Sequence, residues 1–122
     1  MGSPFVWYDV TATAEQAAAV REFYGTLAGW TIGPDANPGP YVGWITDGDQ
    51  PWASIIEASD ATAGRWVPYI QVDDLDTALD KATSLGATVV AGKTDGPAGT
   101  AVTIADPGGA LVALWIPFPD KT

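Results

Sequence analysis

The stretch Ala105-Asp106-Pro107-Gly108-Gly109-Ala110-Leu111-Val112-Ala113-Leu114-Trp115 predicts a tight turn that leads into a buried strand. Pro107 restricts φ and lacks an amide hydrogen, while Gly108 and Gly109 tolerate the positive φ that turns require. The apolar run after the turn has the length of a strand. Because side chains alternate along a strand, Leu111, Ala113 and Trp115 are expected on one face and the residues between them on the other.

The same pattern occurs earlier in the chain. The segment Ile45–Ile56 aligns without a gap on Ile104–Trp115, so that Asp47 falls on Asp106 and Ser54 falls on Ala113. Such self-similarity indicates a repeated structural unit. A chain of 122 residues has the length of one domain, and each half alone would be marginally stable. We therefore expect a single domain, residues 1–122, whose halves share a core or a joint sheet.

Each half is predicted to run strand, helix, strand, strand, strand. The first module, about residues 4–58, has a helix from Ala14 to Leu27 with Thr13 and Gln16 as a capping box. Its buried face follows helical spacing: Ala17, Val20, Phe23, Tyr24 and Leu27. A linker is expected at about residues 59–64.

The second module, about residues 65–117, has a predicted helix from Leu75 to Ser84 that ends before Gly86, about one turn shorter than the first. A strand is predicted over residues 88–90 and a loop over residues 91–99. Asp73, Asp74 and Asp76 lie at the helix start, where carboxylates cap the backbone and favour the dipole. Their spacing does not match a calcium loop.

The composition excludes several classes of function. The net charge of −10 opposes binding to nucleic acid or to anionic membranes. There is no cysteine for a disulfide or thiolate, and no histidine for metal binding or general base catalysis. The chain shows neither a signal-peptide pattern nor a long apolar run, so we expect a cytoplasmic protein. Six tryptophans remain, and some of these bulky side chains are expected to line a groove.

Several short motifs occur in a fixed order along the repeat. They are Phe23-Tyr24-Gly25, Gly29-Trp30, Tyr69 with Val72-Asp73-Asp74, Leu85-Gly86-Ala87, and Asp106-Pro107-Gly109-Leu111. Together they resemble the vicinal oxygen chelate superfamily, which includes glyoxalase I, the bleomycin resistance proteins and the extradiol dioxygenases. The resemblance covers essentially the whole chain. It implies an α+β fold in which two βαβββ modules form a curled mixed sheet around a groove, with the helices outside.

The resemblance also implies where a metal would bind. Metal enzymes of the superfamily carry ligands on inward-facing strand positions, the last of them usually a glutamate. The matching positions here are Trp7, Ser54, Val67 or Tyr69, and Ala113. None of these side chains is a good metal ligand, so we expect neither a metal nor another cofactor.

If Ala113 faces the groove, strand alternation and the repeat predict the rest of its lining. The predicted set has four tryptophans and few polar groups: Trp7, Asp9, Trp44, Trp52, Ser54, Tyr69, Gln71, Thr103, Ala113 and Trp115. A mostly apolar wall with a few polar groups is typical of a small-molecule pocket. The alternative is that the tryptophans belong to the core and that Asp9 makes only a structural hydrogen bond.

Four functions remain open from the sequence. The first is a metal-free protein that sequesters a small aromatic or hydrophobic ligand, by analogy with the bleomycin resistance proteins. The second is a cofactor-independent isomerase, lyase or cyclase, with Asp9 as the catalytic acid or base and Gln71, Ser54 or Thr103 binding an oxyanion. The others are a metal-dependent lyase or dioxygenase and an interaction domain. The expected partner is a small molecule, and a homodimer remains open because family members often dimerise.

Overall fold

The computed structural model describes residues 5–34, 41–48, 50–59, 62–96 and 98–119. The chain divides into two compact units. The N-terminal unit is Trp7–Val67, and the C-terminal unit runs from Pro68 onward and includes Val6.

The N-terminal unit places one helix beside a mixed sheet. Its elements are β1 (Trp7–Ala12), α1 (Ala17–Leu27), β2 (Thr31–Pro34), β3 (Tyr41–Asp47) and β4 (Gln50–Glu57). The strand order is β2-β3-β4-β1, with β1 parallel to β4 and the other neighbours antiparallel. The parallel pair arises because α1, β2 and β3 return the chain to the edge of β1.

The core of this unit lies between the sheet and α1. Val10, Ile45, Ala53 and Ile55 are buried there, and Val20 and Tyr24 of α1 pack against them. Val10 alternates with Asp9 and Thr11 along β1, so the opposite face of the same strand carries polar side chains. The apolar spacing in the sequence thus decides which face of the sheet the helix covers.

The C-terminal unit repeats this arrangement. Its elements are β5 (Trp66–Gln71), which begins two residues before the unit boundary, then α2 (Leu75–Ser84), β6 (Thr88–Asp95), β7 (Gly99–Ala105) and β8 (Leu111–Pro117). The strand order is β5-β8-β7-β6, with β5 parallel to β8. Leu75, Val102, Ile104 and Leu114 form the core, and Val112 and Ile116 pack against it.

The turn before β8 is organised by Asp106. Its Oδ1 accepts the amide hydrogens of Gly108 and Ala110, at 2.8 and 3.0 Å. Gly109 has a φ of 93°, whereas Gly108 does not adopt positive φ. The predicted turn is therefore confirmed, but only one of its two glycines uses the left-handed region, and the aspartate holds the rest.

The predicted α+β class and the two βαβββ modules are confirmed, whereas several element boundaries were wrong. Helix α1 begins at Ala17 rather than Ala14, because residues 13–16 form a turn in which the Gln16 amide donates to the Thr13 carbonyl. Gln16 is the N-cap and makes no side-chain capping bond. Phe23 and Leu27 are exposed rather than buried, since α1 meets the sheet mainly through Val20 and Tyr24.

The helices also differ less than expected, with 11 residues in α1 and 10 in α2. Strand β6 continues to Asp95, through most of the predicted loop over residues 91–99. Antiparallel pairing of Thr94 and Asp95 with β7 supports this extension. Propensity alone cannot reveal it, because the stabilising hydrogen bonds are made to a distant strand.

The capping role of Asp74 is confirmed and predicts a pH effect. Its Oδ1 accepts the Thr77 amide at 2.8 Å, and this bond holds the pKa of the carboxyl below its ordinary value. A lowered native pKa stabilises the fold above the unfolded pKa, and that contribution is lost as pH falls through the native value. We therefore expect Asp74→Asn, which keeps an acceptor oxygen but cannot titrate, to lose less stability below pH 4 than the parent. Thermal unfolding at several acidic pH values measures this difference, and equal losses would contradict it.

Candidate functional site

Three predicted site residues stand side by side across the sheet of the N-terminal unit. Asp9 of β1 pairs with Ser54 of β4, and Ser54 pairs with Trp44 of β3. Trp7 lies two residues before Asp9 and shares its face. We call these four residues the Asp9 cluster. They lie on the face opposite to the core that packs on α1.

The polar members of the cluster are joined by hydrogen bonds. Ser54 Oγ donates a hydrogen bond to Asp9 Oδ1, and Trp7 Nε1 donates to the same oxygen at 3.1 Å. Trp7 Nε1 also lies 3.3 Å from Ser54 Oγ. The Trp7 and Trp44 rings meet edge to face, with centroids 5.8 Å apart. The sheet register thus gathers two aromatic rings around one carboxylate–hydroxyl pair.

Burial distinguishes the parts of the cluster. Asp9 is 4% exposed and Ser54 is 0% exposed, whereas Trp7 and Trp44 are half-buried. Buried polar groups need partners, and Asp9 finds them in the hydrogen bonds that it accepts from Ser54 and Trp7. These hydrogen bonds also satisfy the structural interpretation of Asp9, so the geometry is compatible with both roles proposed from the sequence.

Trp52 does not join this cluster, and its predicted face was wrong. On β4, Ala53 pairs with Ile45 and Pro51 pairs with Thr46, so Trp52 is an additional residue at a β-bulge. Because a bulge redirects a side chain, Trp52 packs against the core with Tyr8 and Trp30. Their ring centroids lie 5.9 and 4.9 Å from that of Trp52.

The predicted residues of the second module lie in the C-terminal unit. Tyr69 pairs with Ala113, and Ala113 pairs with Thr103, so these three form a row across the sheet. Two residues further along both strands, Gln71 pairs with Trp115, and Gln71 is exposed. Ala113 occupies the same place in its row as Ser54 does in the Asp9 cluster, as the repeat alignment predicted.

Three of the four positions that the resemblance matches to metal ligands do not fit a metal ion. The Trp7 indole is only a donor, the Ser54 hydroxyl donates to Asp9, and Ala113 offers no ligand atom. Among the residues that the structure describes, no group of three or more His, Cys, Asp or Glu side chains could hold a metal. The metal chemistry of the superfamily therefore cannot be carried over through these side chains.

Two clefts open elsewhere on the N-terminal unit. The first, of about 400 Å³, is lined by Val10, Thr11, Gln16, Ala19, Val20, Phe23, Tyr24, Gly64, Arg65 and Trp66. The second, of about 590 Å³, is lined by Gly29, Trp30, Thr31, Thr46, Asp47, Gly48, Gln50 and Trp52. No member of the Asp9 cluster lines either cleft.

Sequence reasoning did not assign Tyr24, Trp30 or Trp66, which line these clefts, to a site. The rings of Trp52 and Trp66 are nearly parallel, with centroids 6.5 Å apart, and Trp30 stands perpendicular to both. Tyr24 stacks on Trp30 at 5.1 Å. The sequence offered a signal for both tryptophans: Trp30 belongs to the Gly29-Trp30 motif after the helix, and Trp66 follows Arg65 after the linker. However, neither tryptophan lies on a strand face that alternation assigns to the groove.

No helix among the residues that the structure describes is long and apolar enough to cross a membrane. This finding agrees with the absence of a long apolar run in the sequence.

The chain matches known proteins in sequence and in fold. The family of the Glyoxalase-like domain matches residues 9–115. "Putative glyoxylase CFP32" from Mycobacterium bovis is 36% identical over 118 residues, which cover 89% of this chain and 44% of the relative. The chain thus spans less than half the length of this curated relative.

Solved structures share the fold at low sequence identity. Methylmalonyl-CoA epimerase from Mycobacterium tuberculosis superposes with a TM-score of 0.59 at 16% identity, covering 98% of this chain and 94% of the epimerase. The Mn(II)-bound glyoxalase from Novosphingobium aromaticivorans has a TM-score of 0.59 at 14% identity, covering 93% of this chain and 38% of that protein. The repeated modules, the motifs and these matches agree, and this chain belongs to the glyoxalase-like domain family.

Proposed function

We propose that this domain binds a small aromatic or hydrophobic molecule at the Asp9 cluster, without a metal. The observation that carries the proposal is the edge-to-face pair of Trp7 and Trp44 beside the buried Asp9–Ser54 pair. Flat, half-buried rings offer a stacking surface for a planar ligand. A single carboxylate beside them supplies one acceptor that would orient a hydroxyl or amino group of the ligand.

The chemistry of the donor set supports binding over metal catalysis. Three of the matched ligand positions carry a tryptophan, a serine committed to Asp9, and an alanine. The relative that is named a glyoxylase is a longer protein, of which this chain covers 44%. We therefore propose that this domain sequesters its ligand and releases it chemically unchanged.

The first test uses 2-naphthalenemethanol, a neutral planar probe with one hydroxyl group. We expect Trp44→Ala to weaken binding of this probe about tenfold or more, because it removes one of the two rings. Trp52→Ala is the matched control: it also deletes a tryptophan of the same sheet, but one that packs with Tyr8 and Trp30 instead. Titrations followed by the shifts of indole N–H signals in NMR spectra report the affinity and the location.

A folded Trp44→Ala variant with unchanged affinity for 2-naphthalenemethanol would contradict this proposal. Loss of binding only in Trp52→Ala would indicate that the probe binds in the second cleft, which Trp52 lines. Native mass spectrometry of the protein as purified complements the titration. It would detect a bound metal, a co-purified molecule and a homodimer in one spectrum, and a stoichiometric metal would contradict the metal-free assignment.

The alternative is a cofactor-independent enzyme in which Asp9 moves a proton. The hydrogen bond from Ser54 to a buried carboxylate is the observation that favours it. Ser54 would then orient Asp9 rather than bind an oxyanion, because its hydroxyl hydrogen is already donated. A substrate turned over by the parent and equally well by Asp9→Asn would exclude this role, since an amide cannot act as the base.

A further inference from the structure

The first cleft of the N-terminal unit combines an aromatic wall with one cationic side chain. Its volume of about 400 Å³ suits a small molecule. Phe23, Tyr24 and Trp66 supply the wall, and Arg65 lies next to Trp66 in the chain. None of its lining residues belongs to the Asp9 cluster, so an occupant here would be independent of the function proposed above.

The aromatic wall is held in place although it is partly exposed. Trp66 is 37% exposed and Phe23 is 55% exposed. Trp66 Nε1 donates to Tyr24 Oη at 3.0 Å, and the two rings meet edge to face at 5.5 Å. Phe23 meets Tyr24 in the same way at 5.0 Å. A ligand would therefore find these rings already ordered, which reduces the entropic cost of binding.

The backbone of Arg65 is also anchored. Its carbonyl accepts the Thr11 amide at 2.8 Å, and its amide donates to Thr11 Oγ1 at 3.1 Å. Thr11 Oγ1 in turn donates to the Thr62 carbonyl at 2.7 Å. Gly64 adopts a φ of 79° and donates to the Thr11 carbonyl. The end of β1 thus fixes the segment that carries the guanidinium.

The guanidinium itself has no counter-ion within the described part of the chain. The ion pair seen there joins two other residues, Lys93 and Asp76. Arg21 is engaged differently, since it donates to the Ile32 carbonyl. The chain carries a net charge of −10, yet Arg65 has no carboxylate partner among the described residues, and it lines the same cleft as Phe23, Tyr24 and Trp66. A planar guanidinium is suited to two parallel hydrogen bonds with a carboxylate.

We infer that this cleft binds a planar aromatic monocarboxylate, with its ring against Phe23, Tyr24 and Trp66 and its carboxylate on Arg65. The net negative charge of the protein penalises each further negative charge on a ligand. A singly charged carboxylate is therefore favoured over a phosphate or a dicarboxylate. An aromatic cation is disfavoured by Arg65, although the acidic surface as a whole would attract it.

The test compares 2-naphthoate with the neutral 2-naphthamide on the full chain. We expect 2-naphthoate to bind about tenfold more tightly, and to shift the indole N–H signal of Trp66 and the amide signals of Gly64 and Arg65. Arg65→Gln should remove this preference by weakening 2-naphthoate about tenfold while leaving 2-naphthamide unchanged. Lys81→Gln, which removes the same charge from α2 outside the cleft, is the matched control and should bind like the parent.

Phe23→Ala provides a second variant in which the charge is kept and part of the wall is lost. It should weaken both ligands by a similar factor. Equal affinity for the two ligands in the parent protein would overturn the inference without any variant. The same conclusion would follow from unchanged 2-naphthoate affinity in folded Arg65→Gln, from shifts confined to Trp7 and Trp44, or from the absence of saturable binding.

Discussion

Replacing Gly99 by alanine is expected to lower the free energy of unfolding by about 3 kcal/mol. A Cβ at this position would lie 2.3 Å from the Ile116 carbonyl oxygen and 2.6 Å from Trp115 Nε1. The Ile116 oxygen cannot withdraw easily, because β7 and β8 are paired at Thr100 and Ile116. The Trp115 ring would also have to leave its position over the glycine. Urea unfolding followed by circular dichroism measures the loss.

Gly92→Ala is the matched control for this experiment. Gly92 lies in β6 of the same unit, its φ is not positive, and no atom lies within 4 Å of a Cβ built there. This variant should stay within about 0.5 kcal/mol of the parent. Similar unfolding midpoints for the two alanine variants would show that the close packing of Trp115 on Gly99 does not limit stability.

Asp9→Ala is expected to cost about 3 kcal/mol, because it leaves the buried Ser54 hydroxyl without its acceptor and removes one of the two acceptors of Trp7 Nε1. Ser54 Oγ is fully buried and Trp7 Nε1 is half-buried, and both donate to Asp9 Oδ1. Asp9→Asn keeps an oxygen at this position and should cost clearly less. Equilibrium unfolding of both variants in urea provides the comparison.

A double-mutant cycle isolates the hydrogen bond between Asp9 and Ser54. Adding Ser54→Ala to Asp9→Ala removes the orphaned hydroxyl, so the combined loss should be smaller than the sum of the two single losses. Strictly additive losses would indicate that the pair contributes no coupling, and would weaken the view that Ser54 positions the carboxylate of Asp9.

The repeat explains why the fold was accessible from the sequence. Two gapless copies of a strand–turn–strand segment, each preceded by a helix with apolar spacing, predicted two βαβββ modules before any pairing was known. The helix starting at Leu75 was predicted correctly because Asp74 is a local capping signal. The start of α1 was not, because Thr13 offers a similar signal but its carbonyl closes a turn instead.

Strand alternation was equally informative about the site wherever the ladder is regular. It placed Trp7 and Asp9 on one face, and the register then brought Trp44 and Ser54 beside them. The alternation rule did not hold at Trp52, because a β-bulge shifts its side chain by one position. The residues around Trp52 in the sequence give no sign of this bulge. Trp52, one of four tryptophans predicted for the groove, is half-buried and packs against the core.

The sequence by itself determined the family, the element order and the absence of histidine and cysteine, because these depend on residue identity and on periods of two and 3.6 along the chain. Only the tertiary structure decided which residues meet. The hydrogen bond from Ser54 to Asp9, the aromatic wall beside Arg65 and the closeness of Trp115 to Gly99 all join residues from different elements. Such contacts depend on strand register, bulges and loop anchoring, which are set by pairing between distant segments and not by local sequence.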